Sequence, residues 1–384
     1  MLYILIIIFL LFCVYWYDYK NRTIGKEFFY FSTFLILVLV LSLRHRVGGD
    51  ALTYEEMYPD MPTLLQATYF IQYENWSFYM PFWIYLVSLT RSLSENIILF
   101  HILHALLFNT AIFIFIKRYS SKPFSVLLLF FASLIYFYFS IEIQREALAI
   151  AFFVLNIKNL ENKRWLKYYL LATISFLFHI SAIILFVLPL FKLIKFNRSF
   201  VIGSLIATLF IALFKNIIMD FFSIFLILDS MKAKADVYST FNFSLLGFLS
   251  YFAVRVLLFL PFVIYLYTEK KENLKYKWFY SSFLVISILA QFFVGFERFL
   301  NYLYPLYIVI IIDFLYIDFP KMKSVLVRNF ITFCVLLNLF FVIEYKLFIK
   351  NQWGQHYYAL FFPYNSVFNP QINDEREDFY SNLW

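Results

Sequence analysis

Long apolar runs recur along the whole chain and are separated by short polar loops. Each run covers about 17–25 residues, the length that an α-helix needs to cross a bilayer. A transmembrane barrel would show alternating segments of about 10 residues instead. We therefore predict an all-α, polytopic transmembrane helical bundle with about 10–12 spans. Full spans are expected at 2–17, 27–43, 96–116, 123–140, 141–158, 200–219, 244–267, 278–295, 299–318 and 328–348.

The composition agrees with a membrane protein. Of the 384 residues, 63% are hydrophobic and only 15% are charged, whereas soluble domains are about a quarter charged. The net charge of +8 does not indicate nucleic-acid binding, because the basic residues lie mostly in short loops, where they set topology. Cys13 and Cys334 fall inside predicted spans and form no metal-ligand or disulfide pattern.

Charge predicts the orientation of the bundle. Six basic loops are expected in the cytoplasm, at 20–26, 117–122, 158–167, 192–198, 270–277 and 321–328. Residues 44–76 carry two basic and five acidic residues, and the tail after Phe348 carries two and four, so both are expected outside. We predict one transmembrane domain over 1–348, with outer-face loops at 44–95 and 220–243, followed by an outer-face tail at 349–384.

Two segments conflict with this orientation if each crosses the membrane once. Segment 77–90 then becomes a half-helix or interfacial segment, with Trp76 and Trp83 in the headgroup zone. Segment 166–191 becomes a re-entrant pair that turns near His179, because irregular backbone at membrane depth needs surrounding protein or a water-filled cavity. The alternative is about 12 simple spans, with the positive-inside rule failing at one loop.

Ionisable residues in apolar runs are functional candidates, because charge in hydrocarbon is costly. Arg145 is the first choice, since its guanidinium stays charged and its fork of donors matches phosphate oxygens. Glu142 lies three residues earlier, and either orients Arg145 or forms an ion pair that only holds the helix end. Arg255 lies near the middle of an apolar span and must face an acid, a cavity or a ligand.

A short motif follows the second predicted span. Arg44 and Arg46 precede two glycines, which allow a tight turn whose N–H groups suit an oxyanion or a sugar hydroxyl. Asp50 is then a candidate general base or an acceptor for a sugar hydroxyl, and Tyr54 lies one helical turn further. The alternative is a snorkelling arginine pair followed by a helix-capping aspartate.

Four further motif residues and one tail residue complete the candidates. His179 is a candidate base, although a lone histidine in an apolar run is often a packing residue. Glu297 and Arg298, with Tyr302 one turn beyond, fit an anionic ligand or a structural ion pair equally well. Tyr364 is expected either to cap the site or to lie in a solvated tail.

Several common chemistries have no sequence signature here. The chain has no Walker lysine motif, no GxGxxG after a strand, no HExxH and no CxxC pair. Clusters of the Asp-x-Asp type, which hold a divalent metal in nucleotide-sugar transferases, are also missing. We therefore predict no cofactor, no metal site and no nucleic-acid partner.

The order and spacing of these motifs resemble the EpsG family, which belongs with the Wzy-type polysaccharide polymerases. The resemblance covers nearly the whole chain. Its matching features are Arg46-Val47-Gly48-Gly49-Asp50 with Tyr54, Arg145 followed by Ala147, Ala149 and Ala151, Phe178-His179-Ile180-Ser181-Ala182, Glu297-Arg298 with Tyr302, and Pro363-Tyr364-Asn365-Ser366-Val367-Phe368.

The resemblance implies a GT-C-like polymerase in the bacterial cytoplasmic (inner) membrane, with its site facing the periplasm or exterior. Such an enzyme transfers a growing O-antigen or capsule glycan from undecaprenyl diphosphate to a lipid-linked repeat unit. Arg145, helped by Arg255 or Arg298, would neutralise the departing diphosphate. Asp50, Glu142 or His179 would be the base, with Asp50 preferred. Membrane lipids and a chain-length regulator protein are further candidate partners.

Other functions stay open at this point. A flippase for the lipid-linked oligosaccharide also needs intramembrane cations, but many transporters show internal repeats and glycine-broken helices. This chain shows no repeat and has only 7 glycines. A membrane O-acyltransferase needs a nucleophile or a histidine relay, and the five histidines form no paired motif. An O-antigen ligase uses a closely similar mechanism, so residues alone do not separate it from a polymerase.

Overall fold

A computed structural model describes most of the chain. The described residues are 1–73, 79–223, 245–270, 275–291, 295–341, 345–350 and 354–382. Most of the predicted 220–243 loop and Trp76 lie outside these residues. Residues 220–223, which were assigned to that loop, continue a helix.

Helices account for nearly all of the regular structure in these residues. In the first half of the chain they are α1 Leu2–Cys13, α2 Lys26–Ser42, α3 Asp50–Met57, α4 Ala67–Tyr73, α5 Pro81–Leu93, α6 Ile98–Tyr119, α7 Pro123–Ala132, α8 Ile135–Phe137, α9 Gln144–Glu161, α10 Trp165–Phe178 and α11 Ile184–Val187. In the second half they are α12 Arg198–Ser223, α13 Leu245–Phe252, α14 Leu260–Lys270, α15 Lys277–Leu289, α16 Glu297–Asn301, α17 Tyr304–Asp313, α18 Val325–Leu339, α19 Tyr345–Phe348 and α20 Asp374–Ser381. The predicted all-α polytopic class is confirmed.

Three helical stretches in the described residues are long and apolar enough to cross a membrane: Leu2–Tyr19, Ile98–Tyr119 and Gly247–Tyr267. The pair Pro123–Ala132 and Ile135–Glu142, bent by 77°, is a fourth if it forms one broken span. Other predicted spans coincide with apolar helices of 10–17 residues. Turns of π-helix and 3-10 helix interrupt several of them. The total of about 10–12 spans stays a prediction.

The six basic loops gather at one end of the bundle, here called the basic end. Lys122 bonds to Asn21 in the first loop and lies 5.0 Å from the ring of Tyr316, close to the sixth. A cavity joins the other four, with a lining that includes Arg118, Lys158, Lys192, Lys275 and Lys277. Loops that the positive-inside rule assigns to one compartment therefore lie together.

Segment 165–192 folds back on itself. The α10 helix ends at Phe178, His179 adopts an extended conformation (φ −153°, ψ 135°), and 3-10 turns continue to Lys192. The Tyr168 hydroxyl, near the start of α10, donates to Leu185 O at 2.6 Å, and Lys192 Nζ donates to Leu160 O at 2.7 Å. The segment thus begins and ends at the basic end and turns at His179, as the predicted re-entrant pair requires. How deeply it enters the membrane stays a prediction.

Helix α5, Pro81–Leu93, includes residues 81–90 of the uncertain segment 77–90 and has 13 residues, too few to span a bilayer. At its start the Phe82 ring lies 5.7 Å from that of Phe178, and after its end Ser94 O accepts from Tyr58. Both contacts are far from the basic end. The Trp83 side chain is buried against Tyr54 and Phe100, so it does not face the headgroups directly. The interfacial level of this segment stays a prediction.

The C-terminal tail packs onto the end of the bundle opposite the basic loops. Arg44 and Ser366 form an antiparallel bridge, and Val367 N donates to Leu43 O at 2.9 Å. Arg376 is completely buried and donates to three main-chain oxygens, those of Arg46, Ala359 and Pro363. The reading of a solvated tail is therefore wrong for these residues.

Candidate functional site

Most of the predicted site residues lie at one end of the bundle, here called the motif end and formed by residues 44–60, 138–146, 179–182 and 295–304. Helix α9 runs from this end to the basic end, a rise of about 27 Å for its 18 residues. The chain leaves helical geometry at Ile143 (φ −97°, ψ 48°), immediately before α9. Because of this break, Glu142 precedes the helix, whereas Arg145 and Glu146 lie in its first turn.

The glycine turn at 46–50 is built against Glu142. Gly48 has φ +113°, and a Cβ there would lie 2.7 Å from Glu142 Oε1 and 2.5 Å from Ile141 Cγ2. The two carboxylate oxygens of Glu142 accept from Gly49 N at 2.7 Å and Asp50 N at 3.0 Å. Gly48 N donates to Leu360 O. The expectation that these N–H groups are exposed to a substrate oxyanion or sugar hydroxyl is therefore wrong, since Glu142 and Leu360 O already accept all three.

Asp50 begins α3 and its side chain faces positive charge. Burial raises the pKa of the Asp50 carboxyl, while the guanidinium groups of Arg298 and Arg145 lower it. These two arginines come from α16 and α9, which are far apart in sequence. Asp50 thus lies within electrostatic reach of two of the predicted diphosphate-binding arginines.

Arg145 is held among tyrosines. Its Nε donates to the Tyr54 hydroxyl at 3.0 Å, and its guanidinium carbon lies 4.5 Å from the centre of the Tyr79 ring. Stacking on an aromatic face and a directional N–H bond both fix the plane of a guanidinium. Arg145 is only partly buried, so the group is oriented and still reachable from solvent.

Glu146 links α9 to α16. Its side chain is buried, and its oxygens accept from Arg298 Nη1 at 3.3 Å and Asn301 Nδ2 at 3.0 Å. The Arg298 side chain keeps 42% of its surface exposed. A buried carboxylate therefore anchors the arginine without enclosing it.

His179 takes part in a buried polar chain. Its Nδ1 lies 2.6 Å from Ser181 Oγ, which lies 3.0 Å from the Tyr302 hydroxyl. Glu146 Oε2 is 4.0 Å from the same Nδ1. The re-entrant turn thereby brings His179 to the motif end, as expected for a segment that penetrates deeply.

Arg255 and Glu297 form a neighbouring pair. Arg255 is buried, and its Nη2 lies 3.5 Å from Glu297 Oε2. Its Nη1 donates to the Tyr304 hydroxyl at 2.8 Å, and its guanidinium lies 4.8 Å from the centre of the Tyr251 ring. Because Glu297 and Arg298 are adjacent in α16, the pair of Arg255 and Glu297 lies next to the pair of Arg298 and Glu146.

Three of the predicted site residues make their contacts away from Asp50 and Arg145. Arg46 makes a two-bond ion pair with Glu377 at 2.6 Å and lies 3.3 Å from Glu56. Arg44 is buried beside the tail. The Tyr364 hydroxyl donates to Val40 O at 3.0 Å. These side chains hold the tail or line a second cavity, and none has a hydrogen bond to the Asp50 and Arg145 group among the described residues.

Several residues that the fold brings into contact with the site did not stand out in the sequence. They are Tyr79, Tyr138, Tyr251, Asn301 and Tyr304. Asn301 carried a signal, because it lies one helical turn after Arg298 inside an apolar run. The tyrosines carried none, because the chain has 31 of them.

Comparison with known proteins identifies the family. The sequence profile of the EpsG family matches residues 27–366, nearly the whole chain. Searches of curated proteins and of solved structures each found no match. The matched region contains every site residue described above, from Arg44 to Tyr364. The chain therefore belongs to the EpsG family.

Proposed function

We propose that this protein is a polysaccharide polymerase that transfers a growing glycan from undecaprenyl diphosphate to a lipid-linked repeat unit. Membership of the EpsG family indicates a membrane glycosyltransferase of the polymerase kind. The lipid diphosphate donor, the O-antigen or capsule product and the outer face of the cytoplasmic membrane belong to the proposal.

The observation that carries the proposal is that Asp50 lies near enough to two arginines for their charges to act on its carboxyl. Arg145 and Arg298 both act electrostatically on this carboxyl. Each is only partly buried, and each is oriented by partners, Tyr54 for Arg145 and Glu146 for Arg298. A carboxylate base close to oriented cations suits glycosyl transfer from a diphosphate, because the reaction needs both a proton acceptor and donors for the departing charge.

In the proposed reaction, the acceptor hydroxyl oxygen attacks the anomeric carbon of the donor. Asp50 takes the hydroxyl proton, and the new glycosidic bond forms as the bond between the anomeric carbon and the diphosphate oxygen breaks. The electron pair leaves with the diphosphate, whose charge Arg145 and Arg298 neutralise. Holding both lipid-tethered substrates in one site lowers the entropic barrier.

The geometry supports Asp50 over the other two candidate bases. Both oxygens of Glu142 accept main-chain hydrogen bonds, so this carboxylate holds the turn that carries Asp50. His179 Nδ1 is engaged with Ser181. We assign Glu142 and His179 as positioning residues.

The acyltransferase alternative receives less support. A serine nucleophile works with a histidine whose two ring nitrogens contact the serine and an acid separately. Here Ser181 Oγ and Glu146 Oε2 both approach Nδ1 of His179. This arrangement does not provide that relay.

The decisive experiment is a gel of surface polysaccharide from a deletion strain that carries wild type, Arg145→Ala or Arg118→Ala. Arg118 lies at the basic end and is the matched control. We expect wild type and Arg118→Ala to restore the full ladder. Arg145→Ala, at equal protein level, should leave single repeat units, because loss of one preorganised donor costs about 10²–10³ in rate.

Other outcomes contradict the proposal. A full ladder with Arg145→Ala would exclude the assigned role of this arginine. Loss of all surface units in the deletion strain would indicate export or ligation. An unchanged ladder with altered acetylation would indicate an acyltransferase.

A further inference from the structure

A second cavity lies beside Arg46, the first residue of the glycine turn. Its volume is about 420 Å³, within the range of small-ligand sites. Its lining includes Arg44, Glu55, Asn96, His101 and Val367. Helix α3 therefore borders both places, because Asp50 and Tyr54 face the reaction site and Glu55 faces this cavity.

Buried polar atoms in the cavity lining have no hydrogen-bond partner among the described residues. They are Nε and Nη2 of Arg44, both ring nitrogens of His101 and Oε1 of Glu55. Arg44 and His101 are each 1% exposed. A buried donor or acceptor without a partner is costly, so their presence around one cavity points to a polar ligand.

The N–H groups of Arg44 that have no partner among the described residues indicate what charge a ligand would carry. Its Nη1 donates to Leu41 O at 2.6 Å, which leaves Nε and Nη2, the parallel pair that binds both oxygens of a carboxylate. The neighbouring Arg46 is already paired with Glu377 and Glu56. Glu55 and Glu56 also line the cavity, and Glu55 acts electrostatically on Arg44. The lining therefore suits at most a single negative charge, and a doubly charged phosphate would meet too many carboxylates.

The rest of the lining suits a sugar. His101 and Glu55 offer acceptors for hydroxyl groups, and a neutral His101 also offers one donor. Ile97, Ile98 and Val367 provide an apolar wall. From Asp50 to Glu55, helix α3 rises about 7.5 Å, so a ring in this cavity would lie close to one reacting at Asp50.

We propose that this cavity binds a sugar that carries a carboxylate, as a subsite of the glycan substrate, with Arg44 gripping the carboxylate. The inference rests on the proposed function only in taking the sugar to be part of the polymer. Binding itself requires no transfer, so it is tested without turnover.

The test uses the purified full-length protein in lipid nanodiscs, with methyl glucuronide and methyl glucoside as probes in saturation-transfer NMR. We expect glucuronide to bind at least about tenfold more tightly than glucoside, because a site built for a polar group rejects an analogue that lacks it. Arg44→Lys keeps the charge but removes the fork, and should abolish this preference. Arg118→Lys, the control at the basic end, should retain it.

Val367→Trp is a second variant in case Arg44→Lys unfolds, which its melting temperature would reveal. The indole would project into the cavity and obstruct glucuronide while leaving the guanidinium in place. Equal binding of both probes, no glucuronide binding by wild type, or a preference that survives both variants would overturn the inference. Loss of the ladder with Arg145→Ala alongside any of these results would leave the polymerase proposal standing.

Discussion

The two ends of the bundle hold charge in opposite ways. At the basic end the cations are mostly exposed, as in the pair of Lys117 and Glu27, whose side chains are 58% and 75% exposed. At the motif end, Glu146 and Arg44 are each 1% exposed and Arg376 is fully buried. Exposed charges cost little to keep and can serve topology alone. Buried charges need partners or a function.

Among substitutions that distinguish the two ends, the largest effect on glycan transfer is expected at Asp50. We expect Asp50→Asn to slow glycan transfer by about 10²–10⁴-fold, because the amide cannot take the acceptor proton. The measurement is the rate of chain elongation by purified protein in liposomes that contain the lipid-linked repeat unit. Asp60→Asn, an exposed carboxyl in the same loop, is the control and should keep the wild-type rate. Equal rates for the two variants would remove Asp50 from the chemistry.

Replacing a buried charge at the motif end should destabilise the protein more than replacing an exposed charge at the basic end. Arg376→Gln is expected to lower the free energy of unfolding by about 3–5 kcal/mol, since several charge-assisted hydrogen bonds of about 1.5–3 kcal/mol each are lost together. Lys117→Gln should change it by about 0–1 kcal/mol, the usual range for an exposed ion pair. Denaturant titration in detergent measures both. Similar losses for the two variants would contradict the contrast between the ends.

The smallest effect concerns pH. Burial raises the pKa of Asp50, and a base acts only when deprotonated, so the transfer rate should fall as pH drops through this raised pKa. Arg298→Gln removes a charge that lowers this pKa, and should move the acid limb to higher pH by up to about one unit. Arg118→Gln should not move it. The pH profile of the liposome assay is the measurement, and an unmoved limb in Arg298→Gln would argue against Asp50 as the titrating base.

Local pattern accounts for much of the fold. Apolar runs predicted the helices, and basic loops predicted that segment 166–191 turns back near His179, as it does. Whether each predicted span forms one unbroken helix was less predictable. The run predicted at 123–140 bends at Leu134, which has φ +58°, and no glycine or proline marks that residue. Such breaks depend on packing between helices, which a hydropathy pattern does not contain.

For the site, residue chemistry identified the participants but not their partners. Arg145, Glu142 and Asp50 were recognisable because charge near hydrocarbon demands a reason. The hydrogen-bond partners of these side chains were not recognisable from the sequence. Glu142 was expected to pair with Arg145, either to orient it or to hold the helix end. The hydrogen bonds described above instead join Glu142 to the Gly49 and Asp50 amides. A carboxylate bonds to whichever donors the fold brings within about 3 Å, and the spacing along one helix does not reveal donors from another segment.

The sequence by itself determined the membrane character of the chain, its helical class, its family and the set of charged residues worth attention. These follow from composition, period and motif order, which are properties of neighbouring residues. Only the tertiary structure decided that Arg145 and Arg298 share Asp50, that Trp83 is buried and that Arg376 fastens the tail. Each of these contacts joins residues far apart in the chain, and their separation in space is set by how the whole bundle packs.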